Sequence, residues 1–375
     1  MKRMVYADNA ATTQLDMDAF EAMKPFLLTN YGNASQPYSF ARAAKKALKQ
    51  SRETIAECIG ASSEEIYFTS GGTESDNWAI KGSAFVDSQK NATITSSIEH
   101  HAVLRSCEAI ERLGYPVAYL GVTNEGVITP DSLRDIISDK TRLVSIMTVN
   151  NEIGSIQPIK ELAEISHCHG ALFHTDAVQA VGHIPLDVKA LGVDILSASA
   201  HKFYGPKGIG FSYIRKGIQI GRYADGGSQE NSLRAGTENI AGIVGMAVAL
   251  KNSCKAIASE MDRLAALRTT LIERLSQAHI DFIINGGSLV YPGTISLSFS
   301  NTTGEMLLHR LDLKGISVST GSACDSVHTQ LSHVIDAINV PPKYALGTIR
   351  VSFGKHNTSE DAIAIADAII GILNK

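Results

Sequence analysis

The sequence predicts an α/β protein with a mainly parallel central sheet and a smaller α+β domain attached. Three observations predict it. From about Tyr38 to Leu250, short β-rich runs alternate with helical patterns, and such alternation makes parallel strands joined by crossovers that cover both sheet faces. At 375 residues the chain can bury a large core and divide into roughly two or three domains. Beyond a Leu-rich helical stretch, the pattern changes to strands separated by fewer helices.

The elements follow from local pattern. Ala44, Leu48, Ile55 and Ile59 recur at spacings of four, seven and four, one face of a helix that Gly60 ends. Glu65–Ser70, Ala92–Ser96, Val117–Leu120 and Leu143–Val149 are apolar strands with Gly, Asn or Pro nearby. Pro158–His169 is a helix closed by Gly170, Ala171–Thr175 the next strand and Val193–Ala198 another buried one. Leu264, Leu267, Leu271 and Leu275 mark a further helix. After it, Phe282–Ile284, Thr294–Ser300, Ile316–Ser319 and Ile349–Phe353 are strands, with helices around Glu305–Leu313 and Glu360–Leu373. The expected division is a large domain over 15–257 and a small one formed by 1–14 with 258–375, with a continuous helix crossing the boundary.

Composition narrows the function. The chain is 44% hydrophobic and 19% charged, as ordinary globular domains are. Its 34 basic and 38 acidic residues leave a net charge of −4, with no basic arm of the kind that grips nucleic acid directly. The amino terminus has two basic residues but no apolar stretch after them, so it is not read as a secretory signal. No segment is read as approaching the ~20 apolar residues of a membrane span, and a cytoplasmic protein is expected. The five cysteines are odd in number, widely separated and without a CxxC pair, which argues against a disulfide framework or a structural zinc. Cys58, Cys107, Cys168 and Cys254 are read as small buried side chains. His167-Cys-His169 resembles a metal tract, but i and i+2 on a helix face different ways, and no metal site is expected. Trp78 is read as core, His101 as exposed, and Arg105 with Arg112 as a solvated helix face.

Four segments carry chemistry. Lys202 follows a buried strand among small residues, Ser197-Ala-Ser-Ala-His-Lys, at the carboxyl edge where open α/β sheets bind ligands. Partly desolvated beside His201, its amine would have a depressed pKa and form Schiff bases; the alternative is a surface lysine in a Gly-rich turn. Asp176 ends the preceding strand, 26 residues earlier, where it can pair with a protonated pyridine nitrogen; alone, it could equally be an exposed acid at a strand end. Phe68-Thr-Ser-Gly71-Gly72-Thr73 runs from a strand into a helix starting near Glu74, and free N–H groups there form an anion cradle, although a Gly-Gly pair is more often only a turn. Cys324 leaves a strand into small and polar residues, Gly321-Ser-Ala-Cys-Asp-Ser. It is thus either an accessible reactive thiol or a chance loop cysteine.

Taken together, six motifs resemble the NifS/IscS cysteine desulfurases, of the class V aminotransferase group. They are Ser70-Gly-Gly-Thr-Glu-Ser-Asp-Asn77, Val149-Asn-Asn-Glu-Ile-Gly154, His174-Thr-Asp-Ala-Val-Gln179, Ser199-Ala-His-Lys-Phe-Tyr-Gly-Pro-Lys-Gly208, Arg234-Ala-Gly-Thr-Glu-Asn239 and Gly321-Ser-Ala-Cys324. The likeness runs from Asp8-Asn-Ala-Ala-Thr-Thr13 to Arg350-Val-Ser-Phe-Gly354, nearly the whole chain. It implies the aspartate-aminotransferase-like fold (fold type I of the pyridoxal-phosphate-dependent transferases), with pyridoxal 5'-phosphate as cofactor and L-cysteine as substrate.

The resemblance also implies roles. Lys202 is the Schiff-base lysine and Asp176 the ring-nitrogen partner. Asn151 and Gln179 approach the ring oxygen, and His100 stacks on the ring face and is a candidate proton donor. Gly72, Thr73, Ser199 and His201 hold the phosphate. Thr237 reaches the phosphate of a neighbouring subunit, which implies a homodimer. Arg350 grips the substrate carboxylate, with Asn151 beside it, and Cys324 takes the sulfur as a persulfide. The spacing from Cys324 to Arg350 matches relatives with a long cysteine loop that delivers sulfur to an acceptor protein, such as an iron–sulfur scaffold, a tRNA-thiolation protein or a DNA-sulfur-modification system.

Two segments depart from the family pattern. Asn33-Ala-Ser-Gln-Pro-Tyr38 lacks the usual proline and histidine, and Gln330-Leu-Ser-His-Val334 lacks a proline. They bear on the substrate entrance and on acceptor docking. A selenocysteine lyase would share almost every residue, a class V aminotransferase would need Lys202 but not Cys324, and a non-catalytic scaffold would be expected to lose one of the two.

Overall fold

The computed structural model describes residues 4–87, 89–321 and 331–374. Its strands, in chain order, are β1 (Val5–Tyr6), β2 (Ile66–Thr69), β3 (Ala92–Ser96), β4 (Val117–Leu120), β5 (Thr141–Ser145), β6 (Leu172–Asp176), β7 (Ile195–Ser199), β8 (Gly210–Ile214), β9 (Phe282–Asn285), β10 (Thr294–Phe299), β11 (Ile316–Ser317) and β12 (Thr348–Ser352). Seven of them form one sheet in the order β2-β8-β7-β6-β5-β3-β4. Phe173, His174, Thr175 and Asp176 of β6 are all buried, as strands covered on both faces must be. The parallel pairs β4–β3, β3–β5, β5–β6 and β6–β7 make this the mainly parallel α/β sheet that the alternating pattern predicts.

One strand departs from that pattern. β8 runs antiparallel to both β2 and β7 and is absent from the strands expected from sequence. Pairing decides it: Ser199 faces Gly210, and a Cβ on Gly210 would fall 2.4 Å from the Ala198 carbonyl oxygen. The expected strand 143–149 also stops early, at Ser145. Beyond it, the Ile146 and Thr148 amides still donate to the carbonyls of His174 and Asp176, so the chain stays beside β6 while it turns towards Asn151.

The second sheet, β12-β10-β9, is antiparallel. β1 pairs in parallel with β11, and bridges from Asp8 to Ser352 and from Ser319 to Arg350 tie that pair to β12. Helix Ile240–Gln277 runs unbroken for 38 residues. Helices Met17–Leu28, Arg42–Ile59 and Ser359–Leu373 pack on it, and Leu264, Leu267, Leu271 and Leu275 form its buried stripe. By length and composition this helix is apolar enough to cross a bilayer, which corrects the expectation that no segment is; half of its most apolar window is buried in the protein. Arg42–Ile59 ends at Gly60, whose φ of 71° is the left-handed cap expected of it.

Trp78 and Cys107 are buried. Cys58 and Cys254 are half-buried, and Cys168 is exposed, so the reading of the first four cysteines as buried side chains holds in full only for Cys107. Cys168 lies on the outer face of helix Ile159–Cys168, whose buried face takes Ile159, Leu162, Ala163, Ile165 and Ser166. Its neighbour His167 bonds Asp194 at 2.9 Å. His101 is half-buried rather than exposed, its ring 4.9 Å from that of His333.

Candidate active site

Five turns leave the carboxyl edge of the large sheet and meet around one cavity of about 300 Å³. β2 delivers Gly72 and Thr73, β3 delivers His100, β5 leads to Asn151, β6 ends on Asp176, and β7 leads through Ser199 and a 3-10 turn to Lys202. All of these residues line the cavity, as do Gln179, His201 and Arg350. A wider cleft adjoins it at the start of helix Gly72–Ala84, where Gly72, Thr73, Ser199 and His201 are joined by Lys207 and Gly208.

The Lys202 Nζ donates to the carbonyls of Ala10 at 2.7 Å and Ala11 at 2.8 Å. The Gln179 amide donates to the same Ala10 carbonyl at 2.9 Å, and Thr12 Oγ1 lies 3.1 Å from His201 Nδ1. Segment 8–13 thus lies across the mouth of the cavity. These contacts were not legible, because a backbone carbonyl is offered by every residue type.

Asp176 is buried at the end of β6 and accepts the Val178 N–H at 2.9 Å. Burial pushes its carboxyl up to about 6, against the pull of that hydrogen bond and of the Lys202 charge. Asp76, one turn into helix Gly72–Ala84, is also fully buried; its Oδ1 has no hydrogen-bond partner among the described residues and sits 3.7 Å from His174 Nε2. Burial, and then the neighbouring Asp176 charge, holds Asp76 well above the usual carboxylate range. The sequence contains Asp76 within a quoted motif but offers no signal of its role.

His100 caps helix His101–Glu111, its Nδ1 accepting the Ala102 N–H at 3.1 Å. Burial, then the charge of Lys202, lowers its pKa to about 4, so the ring is neutral with its hydrogen on Nε2. Asp76, His100 and Asp176 offer atoms within 4.8 Å of one another, but that tautomer makes Nε2 a donor, unsuited to a metal. His201 is likewise lowered to about 4, by burial and then by Lys202.

At the helix start, Gly71 has a φ of +152°, a conformation that L side chains rarely adopt, and a Cβ on Gly72 would lie 2.6 Å from Val178 Cγ2. Both positions thus require glycine, and they set the start of the helix, whose first N–H groups are free of intrahelical partners, against the cleft, an anion seat in form.

Arg350, buried in β12, donates from Nη1 to the Asn151 carbonyl at 2.8 Å and from Nη2 to Asp8 Oδ1 at 2.7 Å. Thr237 is exposed and, among the described residues, lines neither cavity. Nearby Arg234 pairs with Glu74 at 2.8 Å, which ties this segment to the first turn of the cradle helix. Cys324 lies outside the described residues. The two stems flanking that segment meet at Glu152, which accepts the Ser332 hydroxyl at 2.6 Å and against which a Cβ on Gly321 would clash. Of the two departing segments, Tyr38 is exposed and His333 bonds the Glu99 carbonyl at 3.0 Å.

The sequence pattern of the aminotransferase class-V family matches residues 5–365. The chain is 50% identical to a cysteine desulfurase IscS of Dictyoglomus turgidum, over 100% of this chain and 96% of that protein. It is 46% identical to a cysteine desulfurase IscS of Methanosarcina thermophila, over 100% of this chain and 93% of that one. A solved NifS-like protein superposes with a TM-score of 0.94 at 38% identity, covering 99% of this chain and 100% of its own.

Proposed function

The chain belongs to the class-V aminotransferase family, and from that premise we propose that it is a cysteine desulfurase working with pyridoxal phosphate. It turns L-cysteine into L-alanine and passes the sulfur to Cys324, then to an acceptor protein. The observation that carries this reading is the convergence of an amine (Lys202), an acid (Asp176), a neutral imidazole (His100) and a guanidinium (Arg350) on one cavity with an anion seat beside it.

The residues fit the cofactor. The cleft at the start of helix Gly72–Ala84 suits its phosphate, with Thr73, Ser199 and His201 lining it. Asp176 suits the ring nitrogen, Asn151 and Gln179 the ring oxygen, and His100 the ring face. Lys202 would hold it covalently, and Thr237 would serve the site of a second copy in a homodimer. When bound, pyridoxal phosphate supplies an electron sink for the pair left on the substrate Cα.

The protein's own groups do the rest. Arg350 and Asn151 orient the substrate carboxylate. The Lys202 amine, released from the Ala10 and Ala11 carbonyls, takes the Cα proton, which needs a base within hydrogen-bond reach. Neutral His100 presents Nε2–H to the cavity as a hydrogen-bond donor that orients the reacting groups, while the Lys202 ammonium returns the proton it took. The Cys324 thiolate attacks the substrate sulfur and forms the S–S bond of a persulfide as the S–Cβ bond breaks; the pair from that bond stays on Cβ, which takes up the proton given up by the substrate thiol, and the carbon skeleton leaves as alanine. Two nucleophiles are required because proton removal and sulfur capture occur at different atoms.

The test is to measure alanine and sulfide from L-cysteine with a reductant present, for the wild type, Lys202→Ala and Cys324→Ser. Cys324→Ser should keep the yellow cofactor but release no sulfide, and Lys202→Ala should lose both colour and turnover. Undiminished sulfide from Cys324→Ser would remove that residue from the mechanism.

A further inference from the structure

The turn that carries Lys202 has no sheet or long helix to hold it. Beyond β7 the chain makes one 3-10 turn, Ala200–Lys202, and then passes through Tyr204 at a φ of 66°, a conformation that favours glycine. Its carbonyls are taken instead by distant segments. The His201 carbonyl accepts the Thr13 amide at 3.0 Å, the Phe203 carbonyl the Ser253 hydroxyl at 3.3 Å and the Tyr204 carbonyl the Asp16 amide at 2.8 Å. The Lys202 carbonyl itself lies 3.1 Å from His183 Nε2.

His183 is engaged at both nitrogens. A carbonyl only accepts, so Nε2 carries the hydrogen and Nδ1 is the acceptor; the Tyr291 hydroxyl, 3.2 Å away, donates to it. Desolvation lowers the pKa of the ring to about 4, against the pull of the Lys202 carbonyl, and keeps it neutral in that form. Tyr291 is only 6% exposed and leads into β10 of the small sheet, where Ser296 pairs with Arg350. Its own amide donates to the Gly154 carbonyl at 2.8 Å, in the turn that leads from Asn151. With Tyr204 and Tyr291, His183 lines a separate cavity of about 240 Å³ and does not line the site cavity. It can therefore act only through Lys202.

We propose that His183 is a positioning residue for Lys202, fixing the backbone of the lysine against the small sheet through Tyr291, so that Nζ keeps its aim when it leaves the Ala10 and Ala11 carbonyls. That role rests on the one proposed above for Lys202 and adds the group that sets its reach. The lysine acts at two places, at the cofactor and at the substrate Cα, so its side chain moves while its own Cα must not. A displacement of about 1 Å at a reacting group costs up to about a hundredfold in rate. A donor that only satisfied a buried carbonyl would add stability and leave proton transfer unchanged.

The experiment compares wild type, His183→Ala, His183→Gln and Tyr291→Phe. Exchange of the L-alanine Cα hydrogen for solvent deuterium, followed by NMR on the cofactor-loaded proteins, reads proton removal by Lys202 without Cys324. Covalent capture of pyridoxal phosphate by each apoprotein, followed by the yellow absorbance, reads the same amine with no substrate present. In His183→Ala both rates should fall roughly tenfold, while the dissociation constant of alanine stays within about twofold. His183→Gln places an amide donor near the Nε2 position and should restore most of both rates. Tyr291→Phe keeps the ring, loses the hydroxyl and should lower them about threefold. Unchanged rates in His183→Ala overturn the proposal, as does a Gln variant as slow as the Ala one. If His183→Ala does not fold, wild-type rates in Tyr291→Phe overturn it equally. A wild type that neither captures pyridoxal phosphate nor exchanges alanine sinks the Lys202 assignment itself, whereas wild-type rates in every variant sink only the positioning role.

Discussion

The carboxyl groups of Asp76 and Asp176 lie within 4.8 Å of each other beneath the cavity, and both are buried. Two carboxylates so placed cannot both ionise readily. Asp76, the one held furthest above its ordinary range, keeps the proton, so Asp176 alone carries negative charge to the ring position. Asp76→Asn should therefore retain cofactor and keep turnover within about threefold, whereas Asp176→Asn should lose roughly a hundredfold or more. Comparing kcat for the two amides decides the matter. Equal losses would mean that Asp76 works as an anion.

Glu99 lies directly before His100, fully buried, accepting the Ser96 hydroxyl at 2.6 Å and the Met147 amide at both oxygens. Burial raises its carboxyl from 4.5 to about 8. Between those values the native protein keeps a proton that the unfolded chain has released, so this group lowers stability as pH rises across that window, by an amount on the order of a few kcal/mol. Glu99→Gln should flatten the decline, and its denaturation midpoint should fall less than that of wild type from pH 5 to pH 8. Parallel pH profiles for the two proteins would show that Glu99 is ionised in the native state.

With Nδ1 committed to the Ala102 amide and a pKa near 4, His100 stays neutral over the physiological range. His100→Ala should lower kcat about a hundredfold, as loss of a positioned hydrogen-bond donor to developing charge does, while cofactor remains bound. The acid limb of wild-type kcat against pH should show no inflection near 6.5 assignable to this ring. If His100→Ala removes such an inflection, the neutral assignment is wrong.

Glu230 sits at a φ of 44°, with side-chain exposure of only 4%, its two oxygens taking both terminal nitrogens of Arg52 at 2.6 and 2.7 Å and the Phe68 amide at 3.0 Å. Arg52 also covers the Phe68 ring at 4.4 Å. Phe68 lies in β2, which leads to the anion cradle, so the pair braces that turn from behind. Glu230→Ala leaves a part-buried cation unpaired and should cost about 3 kcal/mol in chemical denaturation. Replacing both partners with apolar residues should recover much of that loss.

Amino-acid order alone determined the alternating strands and helices, and it placed Gly72, Asp176 and Lys202 at strand ends. Those signals are local: a run of β-branched residues closed by glycine or by an acid reads the same wherever it packs. Motif likeness carried His100, Asn151, Gln179, Ser199, His201 and Arg350, all of which line the cavity. Tertiary structure alone decided the antiparallel β8, the Ala10 and Ala11 carbonyls against Lys202, the Asp76–Asp176 pair and the ion pair of Asp8 with Arg350, 342 residues apart in the chain. Each of these depends on backbone groups or on charges brought together by distant segments. Burial then sets which of those charges persist, and burial is a property of the assembled fold, not of any residue's neighbours in sequence.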